Sequence, residues 1–340
     1  MTIPQHSKNY PMHFSILFFL LSLLFFGNAQ EYPTVGFVER LDDAINELIP
    51  EESKIEVLAE GFDWSEGPVW VSALNGLLFT DVPQNKAFKW SETEGLSEYL
   101  VPSGHTGIVS SSLRQGANGL ALDMDGSLIL CQHGDRRIAK LTSFSIDSLP
   151  QYETIADSYE GKRFHSPNDL VIANDGSMYF TDPPYGLKDQ DEDALRELSF
   201  NGVYKMHPDG QIQLLSNFLK RPNGVALSTD QKTLYVSNSH ADMPVIIAID
   251  ISDEEHITST LFFDGSVQAE KDAGHFDGLK VHSSGNVFAT GPGGVLVIDP
   301  QGKHLGTIRP EALTANCAFD SEETYLYMTS DHSLTRIRLK

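Results

Sequence analysis

The chain has 340 residues and carries 24 Lys and Arg against 47 Asp and Glu, a formal charge of −23. Such acidity repels phosphate backbones and anionic headgroups, which argues against nucleic acid or a membrane surface as a partner. With 40% hydrophobic residues the core is that of an ordinary globular protein, and two cysteines are too few for a disulfide scaffold.

Residues 1–29 read as a secretory leader. Lys8 supplies a positive start, Phe14 to Phe26 is apolar apart from Ser15 and Ser22, and Gly27-Asn28-Ala29 closes on small residues. The apolar run of about 13 residues is short for a span of ~20. The expectation is export to the periplasm or beyond, with no membrane association after cleavage; an uncleaved anchor is the alternative. Residues 30–340 are then expected to form one domain. Val38, Leu41, Ile45 and Leu48 recur at helical spacing, so residues 36–48 are expected to form a short N-terminal helix, ended by Pro50. Ile55 to Leu58 reads as a strand.

From residue 66 onward one pattern recurs: a polar residue, an aliphatic strand, a turn and a second strand. Its fullest copy runs from Asn168-Asp169 through Leu170 to Ala173, the turn Asn174-Asp175-Gly176, and Met178 to Thr181. An Asp-Gly turn between two such runs is a strong hairpin signal. Glu66, Asn118, Asn168, Asn223, Asp277 and Asn316 anchor the copies, at spacings of 52, 50, 55, 54 and 39 residues. A period of roughly 40–55 residues built from short strands predicts a β-propeller, one blade per repeat. The expected fold is therefore all-β, a six-bladed β-propeller, with Ile55 to Leu58 available to complete the last blade. Cys131 and Cys317 fall in strands of different blades and are expected to be buried thiols.

In a propeller every inner strand starts at the same face of the central channel. Glu66, Asn118, Asn168, Asn223 and Asp277 are thereby expected to converge on one axis. Two carboxylates with carboxamides form an all-oxygen set, which suits a hard divalent cation. No zinc-like Cys/His spacing, G-x-S-x-G elbow or phosphate-binding glycine loop accompanies them. Residues 187–200 form an acidic insertion. Asp189, Asp191 and Asp193 alternate as in a calcium loop but lack its Gly and Glu, so a solvated charge run is expected. His133 and His165 fall at blade entrances, where a structural, hydrogen-bonded role is weighed against that of a base.

Glu66-Gly-Pro-Val-Trp70, Ser166-Pro-Asn-Asp169, Asp182-Pro-Pro-Tyr-Gly186, Arg221-Pro-Asn-Gly224 and Asp277-Gly278 resemble the SMP-30/gluconolactonase/LRE family. Cys131-Gln-His-Gly134 and Ala315-Asn-Cys317 point to its bacterial gluconolactonase-like branch. The resemblance spans about residues 55–340. It implies a metal-dependent lactonase that opens a sugar-type lactone with one divalent cation, Ca²⁺ first, with Mg²⁺, Mn²⁺ or Zn²⁺ as alternatives. It makes Glu66, Asn223 and Asp277 metal ligands, Asn168 a fourth ligand or substrate contact, and Asp277 the catalytic proton carrier. Asn118, Asn168, His133 and Tyr185 are the candidate substrate contacts. Some members carry an arginine where Ser166 stands here, which leaves the sugar contacts to other residues. The expected partner is a small lactone and the expected assembly a monomer or weak dimer. A metal-dependent esterase or phosphotriesterase and a non-catalytic binding propeller are the competing readings.

Overall fold

The turn Asn174-Asp175-Gly176 joins strands Leu170–Ile172 and Met178–Asp182, with Leu170 opposite Phe180 and Ile172 opposite Met178. Gly176 takes φ +84°, which the tight turn requires. Its strand pair repeats six times in a computed structural model that describes residues 1–2, 31–109, 113, 115–145 and 148–340. The leader-like segment lies outside the described residues, its first two excepted. Tyr32–Lys340 forms one compact unit. No helix among the described residues is long and apolar enough to cross a membrane.

Six antiparallel sheets of four or five strands make the blades. Their inner strands are Ser65–Val71, Ala117–Leu122, Leu170–Ile172, Pro222–Leu227, Leu279–Val281 and Asn316–Phe319. Each touches the inner strands of both neighbouring blades, so the six close a ring. The chain is an all-β, six-bladed propeller.

Between blades the sheets bury aromatic and aliphatic faces against one another. Phe164, Phe180 and Tyr204 are each fully buried. Phe180 stacks on Tyr204 at 5.1 Å, and Phe164 meets Phe180 edge-on at 5.3 Å. Cys131 and Cys317 are free, buried thiols within two such cores, as expected.

The ends of the sequence meet in two blades. Ile55–Glu60 pairs with Ser333–Arg338 and completes the last blade, as its position in the sequence predicted. Phe37–Arg40 pairs with His304–Arg309 as the outermost strand of the fifth blade. The helix expected over 36–48 is thus a four-residue strand followed by a 3₁₀ turn, Asp43–Glu47, capped by the Asp42 carboxylate. The exposed edge of His304–Arg309 offered unpaired backbone groups, and Val38 took the place opposite Ile308. Local helical spacing lost to that pairing. Ile45 and Leu48 still bury against the fifth and sixth blades.

Candidate active site

The inner strands leave a cavity of about 410 Å³, lined among others by Trp64, Glu66, Asn168, Tyr185, Asn223 and Asp277. Five of the residues singled out in the sequence are therefore brought together. Close packing of the ring holds them there. Gly67 (φ +49°) lies so near the next anchor that a Cβ would stand 1.9 Å from the Asn118 carbonyl oxygen. At Gly224 a Cβ would stand 2.3 Å from the Asp277 carbonyl oxygen, which instead accepts the Gly224 N–H at 3.1 Å. The glycine after an anchor is what lets neighbouring anchors come close.

A hydrogen-bonded chain fixes the carboxamides. His133 Nε2 sits 3.2 Å from Asn168 Oδ1, and Asn168 Nδ2 donates to Asn223 Oδ1 at 2.5 Å. Asn223 Nδ2 in turn donates to Ser239 Oγ at 2.8 Å. His133 is buried, and burial pushes its ring down to about 4, so it is neutral and donates to Asn168. It does not line the cavity: the expected substrate contact at His133 is instead a brace behind Asn168. Asn118 does not line the cavity either: its side chain is buried, with Oδ1 lacking a hydrogen-bond partner, and its backbone carbonyl accepts Thr80 Oγ1 at 3.0 Å. His165 is wholly buried between Asn201 and the Leu198 carbonyl, a structural position.

The carboxylates are electrostatically frustrated. Glu66 is 2% exposed, and its Oε2 accepts from Gly67 N at 2.9 Å and Asn316 Nδ2 at 3.3 Å. Burial, with the Asp169 carboxylate nearby, raises it to about 7. Asp277 is part-exposed to the cavity, yet its Oδ1 is buried without a hydrogen-bond partner. Burial of that oxygen, then Glu66 and Asp169, push it well above the usual carboxylate range. Lys280 Nζ, which does not line the cavity, stands 3.8 Å from Asp169 Oδ2 and partly offsets the charge felt by Glu66.

This donor set fits a hard cation. No three His, Cys, Asp or Glu side chains among the described residues cluster closely enough to hold a metal alone. Carboxamide oxygens are therefore needed to complete a shell with Glu66 and Asp277, and that of Asn168, which faces His133 here, would join them only if its amide turned. The partnerless Asp277 Oδ1 is the lone pair such an ion would satisfy, and a positive charge would relieve the repulsion between the carboxylates.

The cavity also holds residues that the sequence alone did not single out: Trp64, Arg221, Ser239, His240 and His275. Arg221 and His275 flank the anchors Asn223 and Asp277 by two positions, the one signal that could have found them.

Oxygen-bearing side chains from several blades that line one cavity of a six-bladed propeller define a class of channel-site propellers. Within it, residues 64–332 match the family described as SMP-30/gluconolactonase/LRE-like region, and the chain belongs to that family. It is 38% identical to a gluconolactonase of Zymomonas mobilis over 92% of this chain and 89% of that one. It is 25% identical to the regucalcin of Bos taurus over 81% of this chain and 86% of that one. The solved structure of a Xanthomonas campestris gluconolactonase superposes with a TM-score of 0.78 at 29% identity, covering 92% of this chain and 99% of that one.

Proposed function

We propose that this protein is a lactone hydrolase that opens a sugar-type lactone with the help of one divalent cation. The observation that carries the reading is the meeting of Glu66, Asn168, Asn223 and Asp277 in one cavity, with Asp277 Oδ1 buried and unpartnered. The gluconolactonase relative at 38% identity supports lactone opening, and a calcium-binding regucalcin among the structural neighbours supports Ca²⁺ as the first metal to try.

Glu66, Asn223 and Asp277 would hold the ion, with Asn168 as a fourth ligand or a contact to substrate. When bound it supplies Lewis-acid polarisation of the ester carbonyl and acidifies water. Asp277 faces the cavity and takes the proton of the attacking water, then returns it to the ring oxygen as the acyl–oxygen bond breaks. One proton is carried from water to the ring oxygen, and the products are a hydroxyl and a carboxylic acid, which ionises to the carboxylate by releasing its proton to solvent. His133 keeps the Asn168 amide turned toward Asn223. Tyr185, raised to about 12 chiefly by burial, keeps its proton and can donate to a substrate oxygen. The cavity's apolar side, with Trp64 and Leu313, suits the ring face. Export of the mature domain is part of the proposal, supported by the leader-like residues 1–29 and checked by sequencing the N-terminus of the protein recovered outside the cytoplasm.

The test is ring-opening of D-glucono-1,5-lactone by the purified protein, corrected for spontaneous hydrolysis, after chelation and with Ca²⁺, Mg²⁺, Mn²⁺ or Zn²⁺ restored. Metal-dependent turnover that Glu66→Gln abolishes is the expected result. Asp277→Asn is expected to cost about 10³-fold in kcat while cation affinity falls far less. Turnover of Asp277→Asn at the wild-type rate overturns the assignment.

A further inference from the structure

The position two residues before Asn168 contributes no side chain to the cavity. Ser166 is wholly buried. Its Oγ donates to the Pro183 carbonyl at 2.6 Å and accepts from Gly186 N at 2.7 Å. Ser166 is thus spent on the wall.

Arg221 is the arginine that lines the cavity. It belongs to the fourth blade, immediately before the inner strand that carries Asn223. Arg221 is held from behind by the acidic insertion. Its Nη1 contacts Asp191 Oδ2 at 2.5 Å and donates to the Lys220 carbonyl at 2.8 Å, while Nη2 reaches Gln190 Oε1 at 3.2 Å. Asp191 is fixed in turn by Arg196 at 3.3 Å and by Asn201 Nδ2 at 3.3 Å. Part of the insertion expected to be a solvated charge run is therefore a docked brace. A second cavity of about 250 Å³ lies against Asp191, Asn201 and the same arginine, so the Arg221 side chain forms a partition between two hollows.

We infer that Arg221, positioned by Asp191 of the insertion, is a specificity-determining residue that reads the hydroxyls of a polyhydroxylated lactone ring. The inference rests on the lactone-hydrolase reading for the identity of the substrate, but not for the contact itself. A guanidinium has five N–H donors in a fixed fork and no acceptor, so it rewards a neighbouring pair of hydroxyl oxygens and gains nothing from a ring methylene. Asp191 and the Lys220 carbonyl take the two Nη1 hydrogens and Gln190 takes one on Nη2, which leaves the Nε–H and one Nη2 hydrogen as a pair of donors for the cavity.

The experiment compares wild type, Arg221→Met, Arg221→Lys and Asp191→Asn in two assays. The first measures kcat and KM on D-glucono-1,5-lactone and on δ-valerolactone, which lacks the hydroxyls. The second follows quenching of tryptophan fluorescence by 1,5-anhydro-D-glucitol, a ring polyol without a carbonyl, with Trp64→Phe to assign the signal. For Arg221→Met the expected outcome is a rise in KM for gluconolactone of about tenfold with kcat nearly kept. The preference over δ-valerolactone collapses by the same factor, and the polyol binds about tenfold more weakly. Arg221→Lys does not restore the fork, and Asp191→Asn gives a smaller loss of the same kind. An unchanged lactone preference with unchanged polyol binding in Arg221→Met overturns the inference, as does a wild type that neither binds the polyol nor prefers the hydroxylated lactone. If wild type opens neither lactone yet Arg221→Met still weakens polyol binding, the hydrolase reading fails and the contact stands.

Discussion

Asp182 shows how single residues shape this funnel without touching its cavity. It is wholly buried, and its two oxygens accept the backbone N–H groups of His165 and Ser166 at 2.9 and 2.7 Å. Those bonds fix the loop that delivers Asn168. Burial outweighs them and the nearby Arg136 charge, raising the carboxyl to about 7. The sign follows from linkage. A carboxyl whose folded value lies above its unfolded value contributes stability that is complete below about 4 and is lost as pH rises through about 7. Asn cannot ionise, so the stability of wild type relative to Asp182→Asn is expected to fall by about 1.4 kcal/mol per pH unit at most between those limits. Urea midpoints of both proteins at pH 5, 6, 7 and 8 check this. A gap that stays flat across the range means that Asp182 is ionised throughout.

At the scale of elements, the strand most exposed to failure is the one that closes the ring. Ile55–Glu60 comes from one end of the chain and pairs with Ser333–Arg338 from the other. Arg336 rivets this joint to the first blade: Nε donates to Glu56 Oε2 at 2.7 Å and Nη1 to Glu92 Oε2 at 2.6 Å, with the guanidinium 4.4 Å from the Tyr325 ring centroid. The two glutamates keep 32% and 48% side-chain exposure, so water screens part of the attraction. Arg336→Met is expected to cost about 2 kcal/mol in denaturant unfolding. A change below about 0.5 kcal/mol means the backbone pairing alone holds the ring.

The same scale explains what the sequence could tell. The blades were legible because turn chemistry and period-two alternation are local, and the repeat stated them several times over. Glu66, Asn168, Asn223 and Asp277 were legible because a propeller converts equal spacing into a shared axis. Phe37–Arg40 was misread because its partner strand lies about 270 residues away, and nothing local announces an open edge. The roles of Asn118 and His133 depended on side-chain direction at the ring, which spacing does not carry. The Asp191–Arg221 pair joins an insertion to another blade's entrance, a contact that only the packed fold supplies.

For the whole molecule, a charge of −23 is a standing cost that the funnel concentrates. Burial with the Asp169 charge raises the proton affinity of Glu66, burial with Glu66 and Asp169 raises that of Asp277, and Lys280 offers one positive charge close by. Two kinds of cation effect are then separable. Monovalent salt screens the exposed carboxylates everywhere and raises stability gradually, with no saturation at low concentration. A divalent ion held by the funnel binds the native state alone, and native-state binding adds about 2.7 kcal/mol at a hundred times its Kd. Chelated protein titrated with Ca²⁺ at constant ionic strength is therefore expected to gain several degrees in Tm along a saturating curve. Glu66→Gln is expected to lose most of that gain and Asp277→Asn a smaller part of it, both keeping the response to NaCl. If Glu66→Gln gains as much from Ca²⁺ as wild type does, the ion sits on the acidic surface and not in the channel. Thermal stability thus tests the metal site independently of turnover, with no substrate present.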